Sequence, residues 1–152
     1  MNAMLRFLKG FGIGLGVLVL LFGLIQLIPY GRTHSNPPVV EEPKWDSPRT
    51  RELAVRACFD CHSNETRWPY YANIAPFSWV VQRDVDAARE TVNFSEMHAP
   101  QPLASYSGLS VRTHGMPPTK YRLAHPEADF TDAEIEELAK GLDATLKIDG
   151  QK

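Results

Sequence analysis

The chain has 152 residues and a formal net charge of -2, room for one compact domain and a short extra segment. Charge is spread unevenly: residues 1–32 carry Arg6, Lys9 and Arg32 and no acid, leaving 13 bases against 18 acids in the remainder. That mildly acidic remainder excludes a nucleic-acid surface, which needs clustered Lys and Arg to displace counterions from phosphates.

The first predicted element is the apolar run FGIGLGVLVLLFGLIQLI, 18 residues from Phe11 to Ile28 broken only by Gln26. A helix crossing a hydrocarbon core needs about 17 to 25 such residues. A cleaved signal peptide has an apolar stretch of about 7 to 15 residues and a small-x-small site after it. QLIPYGRTH has no such site, so the run predicts an uncleaved membrane anchor over 1–32. Arg6 and Lys9 before the span put the N-terminus in the cytoplasm. The remaining chain then lies outside, in the periplasm or an equivalent extracytoplasmic space. Glycines at 10, 12, 14 and 16 give small-xxx-small spacing that suits close helix pairing.

From Thr33 to Pro48 the sequence THSNPPVVEEPKWDSP holds four prolines and no periodicity, the composition of a stiff, extended tether. Ser47 followed by Pro48 is an N-cap with proline at the first helical position. Apolar residues at 53, 54, 57, 58 and 61 then predict a helix from about Arg49 to Asp60. A second helix is predicted from PFSWVVQRDVDAARETV, opened by Pro76, with Phe77, Val80, Val81, Val85, Ala88 and Val92 along one face. LASYSGLSVRTHG reads as a short, weak helix. Thr131 and Glu134 form a capping box, and Ile135, Leu138, Leu142 and Leu146 carry the last helix over about 132–146. With no alternating strand pattern of useful length, residues 49–152 read as a small all-α domain with long loops. A domain so rich in loops needs a staple or a cofactor.

RACFDCHSNET contains both cysteines of the chain, Cys58 and Cys61, with His62 next to the second. A redox-active C-x-x-C expects a preceding strand in an α/β fold, and none is predicted. Structural zinc wants four ligands, usually from a second close pair, whereas only the dispersed His98, His114 and His125 are available. C-x-x-C-H as the attachment site of a c-type haem needs nothing further nearby. Side chains three apart on a helix are about 5 to 6 Å apart at Cβ, so two thiols there can reach two vinyl groups on one porphyrin edge while the next imidazole ligates the iron.

The opposite face of the iron then decides the chemistry. HGMPPTKY places Met116 between Gly115 and Pro117, 54 residues beyond His62, in a loop whose prolines fix φ rather than in an apolar stripe. Met97 and His114 are the competing sixth ligands. A His/Met pair favours the ferrous state through its soft thioether and fills all six positions, which suits electron transfer rather than catalysis. A weak or open sixth position would instead suit a haem peroxidase or a sensor of small gases. Trp68, Trp79, Tyr70 and Tyr71 are candidates to wall the haem, Pro69 or Pro76 to offer His62 a carbonyl, and Arg67 and Lys120 to neutralise propionates.

ACFDCHSNETRWPYYANIAPFSWVVQRDV, FSEM and MPPTKYRLAHPEADFTDAE together resemble the haem-binding-domain family of small membrane-anchored bacterial proteins, related to the monohaem c-type cytochromes. The resemblance runs from about Trp45 to Leu146 and implies a cytochrome c-like helical fold around one covalent haem c. It implies Cys58 and Cys61 as attachment points, His62 as proximal ligand and Met116 as the methionine of the family's M-P-P loop. An acidic residue often precedes that methionine in the family, and Gly115 stands there in this chain. Expected partners are the membrane, through the N-terminal helix, and redox proteins whose identity the sequence does not specify.

Overall fold

Hydrophobic periodicity, capping residues and prolines divide the chain into helices in the computed structural model, which describes residues 2–146. Seven α-helices follow one another: α1 (Asn2–Ile25), α2 (Pro48–Ala57), the single turn α3 (Phe59–His62), α4 (Phe77–Thr91), α5 (Ser107–Arg112), α6 (Thr119–Ala124) and α7 (Asp132–Thr145). Short 3-10 turns lie at Tyr70–Asn73, Ala104–Tyr106 and Pro126–Ala128. No strand forms among the described residues; an isolated parallel bridge pairs Glu41 with Glu96.

Local chemistry sets the ends. Ser47 caps α2 by accepting the Thr50 N–H at 3.1 Å, with Pro48 opening the helix. Thr131 and Glu134 form both halves of the capping box on α7. α4 begins directly after the cis Ala75–Pro76 bond. The predicted helix over 49–60 is interrupted: Cys58 takes φ -121° and closes α2, and its carbonyl accepts the N–H groups of both Cys61 and His62. The cysteine motif therefore occupies a separate tight turn. The 3-10 turns and α6 have no counterpart in the periodicity, since α6 buries none of its residues.

The described residues fall into two compact units, one of residues 2–34 with 69–83, the other of 35–68 with 84–146. In the first unit α1 carries Arg6 and Lys9 in its first turns and only apolar residues beyond them, is exposed from Ala3 to Leu24, and has 23 residues from Ala3 to Ile25 long and apolar enough to cross a membrane. In the second, Leu53 of α2 and Leu138 and Leu142 of α7 are buried to 1% exposure or less, and Trp45, Phe59 and Phe94 stack with centroids 5.3 to 6.1 Å apart. Gly141 allows α7 to approach α2, because a Cβ there would collide with the Thr50 side chain. The proline-rich stretch from Ser35 is extended, yet bonded into this unit: Val40 and Glu41 N–H donate to Ser95 O at 2.9 and 3.0 Å, and Asn64 Nδ2 donates to Pro38 O at 3.0 Å.

Candidate functional site

The site lies in the second unit and starts from the turn α3. Its backbone is fixed from the chain that follows α4: Phe94 N–H donates to His62 O at 2.8 Å. His62 Nδ1 lies 3.0 Å from Val92 O. A carbonyl can only accept, so Nδ1 carries the proton and Nε2 keeps the lone pair. Burial holds the imidazole below its ordinary pKa, with the backbone of Val92 and of Ala88 working against that trend. A neutral ring with Nδ1 engaged and Nε2 unprotonated is the form that ligates a metal.

Neither cysteine is in a disulfide. Burial pushes the Cys58 thiol up to about 12 and the Cys61 thiol up to about 11. In the metal-free protein both are therefore neutral thiols, unlike the low-pKa thiolate of a redox-active pair. No group of three or more His, Cys, Asp or Glu stands in metal-binding array among the described residues.

Beside the turn a cleft of about 100 Å³ is lined by Cys58 and His62, by Thr91, Val92 and Phe94, by Leu103, Ser107, Ser110 and Val111, and by Met116 and Leu142. Apolar side chains dominate it. Met116 arrives there because α5 ends in a tight turn. His114 takes φ 58°, and the N–H groups of Gly115 and Met116 both donate to Ser110 O, at 2.8 and 3.0 Å. Cys58, His62 and Met116 thus share one cleft, while Cys61 is not part of its lining.

The competing ligands stand elsewhere. Met97 packs against the hydrophobic core, and His114 lines a smaller neighbouring pocket with Met116, Pro117 and Arg122. The four aromatic candidates, Trp68, Trp79, Tyr70 and Tyr71, do not line the cleft, and the carbonyl bonded to His62 belongs to Val92 rather than Pro69 or Pro76. Lys120 pairs with Asp84. Arg67 is engaged by Asp60, the third residue of the motif, which sequence reading passed over. Asp60 is 5% exposed and accepts from Arg67 Nε and Nη2 at 3.1 Å each and from Tyr121 Oη at 2.7 Å. Burial and this carboxylate hold the Tyr121 phenol well above its usual range. An acid between two cysteines that is followed by a basic residue seven positions on was the available signal.

These residues suit a haem: an apolar cleft, two unpaired thiols in their neutral form, an imidazole with its Nδ1 occupied, and a thioether. A cavity of roughly 150 Å³ accommodates a benzene, so a cleft of about 100 Å³ is smaller than a whole macrocycle. A haem held by these residues would need more room than the cleft offers.

A family model described as a haem-binding domain matches residues 20–144 of the chain. Comparison with curated proteins and with solved structures finds no match.

Proposed function

We propose, from the premise that this chain belongs to the haem-binding-domain family, that it is a membrane-anchored c-type haem protein passing single electrons. In this reading one haem is held by Cys58 and Cys61, with His62 and Met116 as axial ligands. A haem with imidazole and thioether ligands supplies a reversible one-electron ferric/ferrous couple.

The observation that carries the reading is the His62 Nδ1 to Val92 O contact of 3.0 Å, on a ring that shares its cleft with Met116. The Val92 carbonyl fixes the tautomer and the ring plane, and it raises the basicity of Nε2. Cys58 and Cys61 would hold the haem as thioethers, each S–H adding across a vinyl group with no change of oxidation state. Val92, Phe94, Val111 and Leu142 would exclude water from the cleft, and the soft Met116 sulfur would favour the ferrous state. α1 anchors the chain with Arg6 and Lys9 on the cytoplasmic side, so the haem works on the periplasmic side of the inner membrane, between membrane-bound and soluble redox proteins.

A haem-stained denaturing gel tests covalent attachment, and a reduced-minus-oxidised spectrum tests its type. The expected result is a haem band that follows the chain and a c-type α-band, both lost in Cys58→Ala/Cys61→Ala. An unstained chain in a host that matures c-type cytochromes sinks the reading.

One observation favours a second reading. Met116 is 41% exposed on a short loop, which suits a thioether that leaves the iron and admits peroxide or a small gas. Carbon monoxide separates the two: the electron carrier resists it in the ferrous state, and the enzyme or sensor binds it at once.

A further inference from the structure

Just beyond α1 the chain is fastened to a segment from much later in the sequence. Gln26 and Ala75 pair amide to amide: Gln26 Nε2 donates to Ala75 O at 2.9 Å, and Ala75 N–H donates to Gln26 Oε1 at 3.0 Å. The same Oε1 accepts from Arg32 Nη2 at 2.9 Å, and His34 Nε2 lies 3.2 Å from Ala72 O. Gly31, at φ +77°, sits so close to the first turn of α4 that a Cβ would run into the Ser78 carbonyl. Only glycine tolerates both that φ and that approach. Residues 72–78 are thus built onto the end of the apolar helix, and their depth is tied to that of Gln26.

This segment exposes what a water-facing loop usually does not. Tyr70 is 82%, Phe77 57%, Val80 48% and Ile74 39% exposed, and the rings of Tyr70, Tyr71 and Phe77 touch in sequence, with centroids 5.6 and 6.3 Å apart. Its charge is one-sided as well. The unit of residues 2–34 and 69–83 contains Arg6, Lys9, Arg32 and Arg83 and no Asp or Glu; among the described residues every acid lies in the other unit.

We infer that residues 70–80 lie in the boundary between headgroups and acyl chains of the bilayer that α1 crosses, giving the protein a second, built-in seat on an anionic leaflet. The inference rests on the reading of α1 as a membrane span. The apolar run persists to Ile28, and the first charge past it is Arg32, so the outer boundary falls between them. Ala75 is one hydrogen bond from Gln26 and must share that level. Tyr and Phe are the side chains that settle there, and the absence of acids removes repulsion from anionic headgroups while Arg32 and Arg83 supply attraction. A soluble protein partner would meet the same patch only after displacing lipid from it.

Nitroxide labels test this on the full-length haem-loaded protein in phosphatidylethanolamine/phosphatidylglycerol vesicles. Single variants Tyr70→Cys, Phe77→Cys and Val80→Cys are compared with Leu18→Cys inside α1 and Leu123→Cys, an exposed site of the other unit. The haem spectrum of each verifies folding, and the unsubstituted protein taken through labelling measures any spin on Cys58 or Cys61. Labels at 70, 77 and 80 are expected to collide several-fold more with oxygen, and several-fold less with a water-soluble nickel chelate, than the label at 123. The label at 18 should lie deepest. If 18 is lipid-buried while 70, 77 and 80 match 123, the interfacial seat is wrong and the span stands. If 18 is itself accessible to the chelate, the span fails and takes the inference with it. Exclusion of both reagents at 77 and 80 marks a protein contact and also overturns it.

Discussion

His62 Nδ1 and Val92 O lie 3.0 Å apart, and this bond joins the cysteine turn to a strip of chain held by a buried polar network. Ser95 Oγ accepts the Asn64 N–H at 2.9 Å, Asn93 Nδ2 donates to Asn64 Oδ1 at 2.9 Å, and Asn93 Oδ1 accepts the Ser95 N–H at 3.0 Å. Ser95, Asn64 and Asn93 are all 5% exposed or less. An unsatisfied buried group costs about 1 to 3 kcal/mol. Ser95→Ala leaves the Asn64 N–H without its acceptor and should lower stability by about that amount. Because the same strip carries Val92, the variant should also loosen the proximal imidazole, seen as a larger high-spin fraction in the ferric absorption spectrum. A stability loss with an unchanged spin state would separate the network from the ring.

Met116, Met97 and His114 differ in place: the first lines the cleft, the second packs on the core and the third lines a neighbouring pocket. Met116→Ala should abolish the ferric absorption band of methionine-ligated haem and make the ferrous protein bind carbon monoxide rapidly. His114→Ala should alter neither. Met97→Ala should cost stability, on the order of 2 kcal/mol for a partly buried methionine, with the spectrum intact. A spectrum that changes in His114→Ala and not in Met116→Ala would reassign the sixth ligand.

How far the sequence was legible depended on whether a feature is carried by side-chain pattern or by backbone. The capping box at Thr131 and Glu134, the stripe along α7 and the start of α4 after Pro76 follow from local rules and form where those rules put them, while the apolar run expected over Phe11–Ile28 is helical over Asn2–Ile25. The C-x-x-C-H spacing is likewise a local code. The partner of His62 is a main-chain oxygen, and a carbonyl leaves no trace in residue identity, so no rule singles out Val92. The break at Cys58 arises from one residue's φ of -121° inside a run whose periodicity continues through it. Phe77 and Val80, two of the six residues of the α4 stripe, are exposed rather than core, since periodicity marks an apolar face and not what covers it. The proline-rich stretch reads as a stiff, extended tether by composition, and its bonds to Ser95 and Asn64 join residues too distant in sequence for any local signal.

Gly141 is where α7 meets α2. A Cβ at this position falls on the Oγ1, Cγ2 and Cβ atoms of Thr50, and Thr50 is 2% exposed with its backbone N–H held by the Ser47 cap, so it cannot swing aside. Gly141→Ala should therefore destabilise by about 1 to 3 kcal/mol through overpacking, although alanine ordinarily improves a helix interior by about 1 kcal/mol. Thr50→Ala should recover part of the loss in the double variant. Urea denaturation of the two single variants and the double variant gives the coupling, and additive effects would mean that the two residues do not collide.

Glu42 fastens the proline-rich stretch to α2. Its carboxylate accepts from Arg51 Nε and Nη2 at 2.8 and 2.7 Å, one bond to each oxygen, and from Trp45 Nε1 at 2.8 Å. The bond to Arg51 is the main cause that holds the carboxyl below its ordinary value of 4.5, with burial opposing and Trp45 and the Arg51 charge assisting. The folded state then binds a proton less readily than the unfolded one, so the contribution to stability is complete above about pH 4.5 to 5 and is lost as pH falls through the depressed value. With side chains 26% and 43% exposed, solvent screens the pair, and about 1 kcal/mol is the appropriate scale. Glu42→Gln should cost that much at pH 7, and the gap from the unsubstituted protein should close toward pH 3. Trp45 rests against Phe59 and Phe94, the second of which lines the cleft, so the same substitution should also raise the fluorescence mobility of Trp45 at neutral pH. A stability gap that persists unchanged at pH 3 would show that the lost contact was steric rather than ionic.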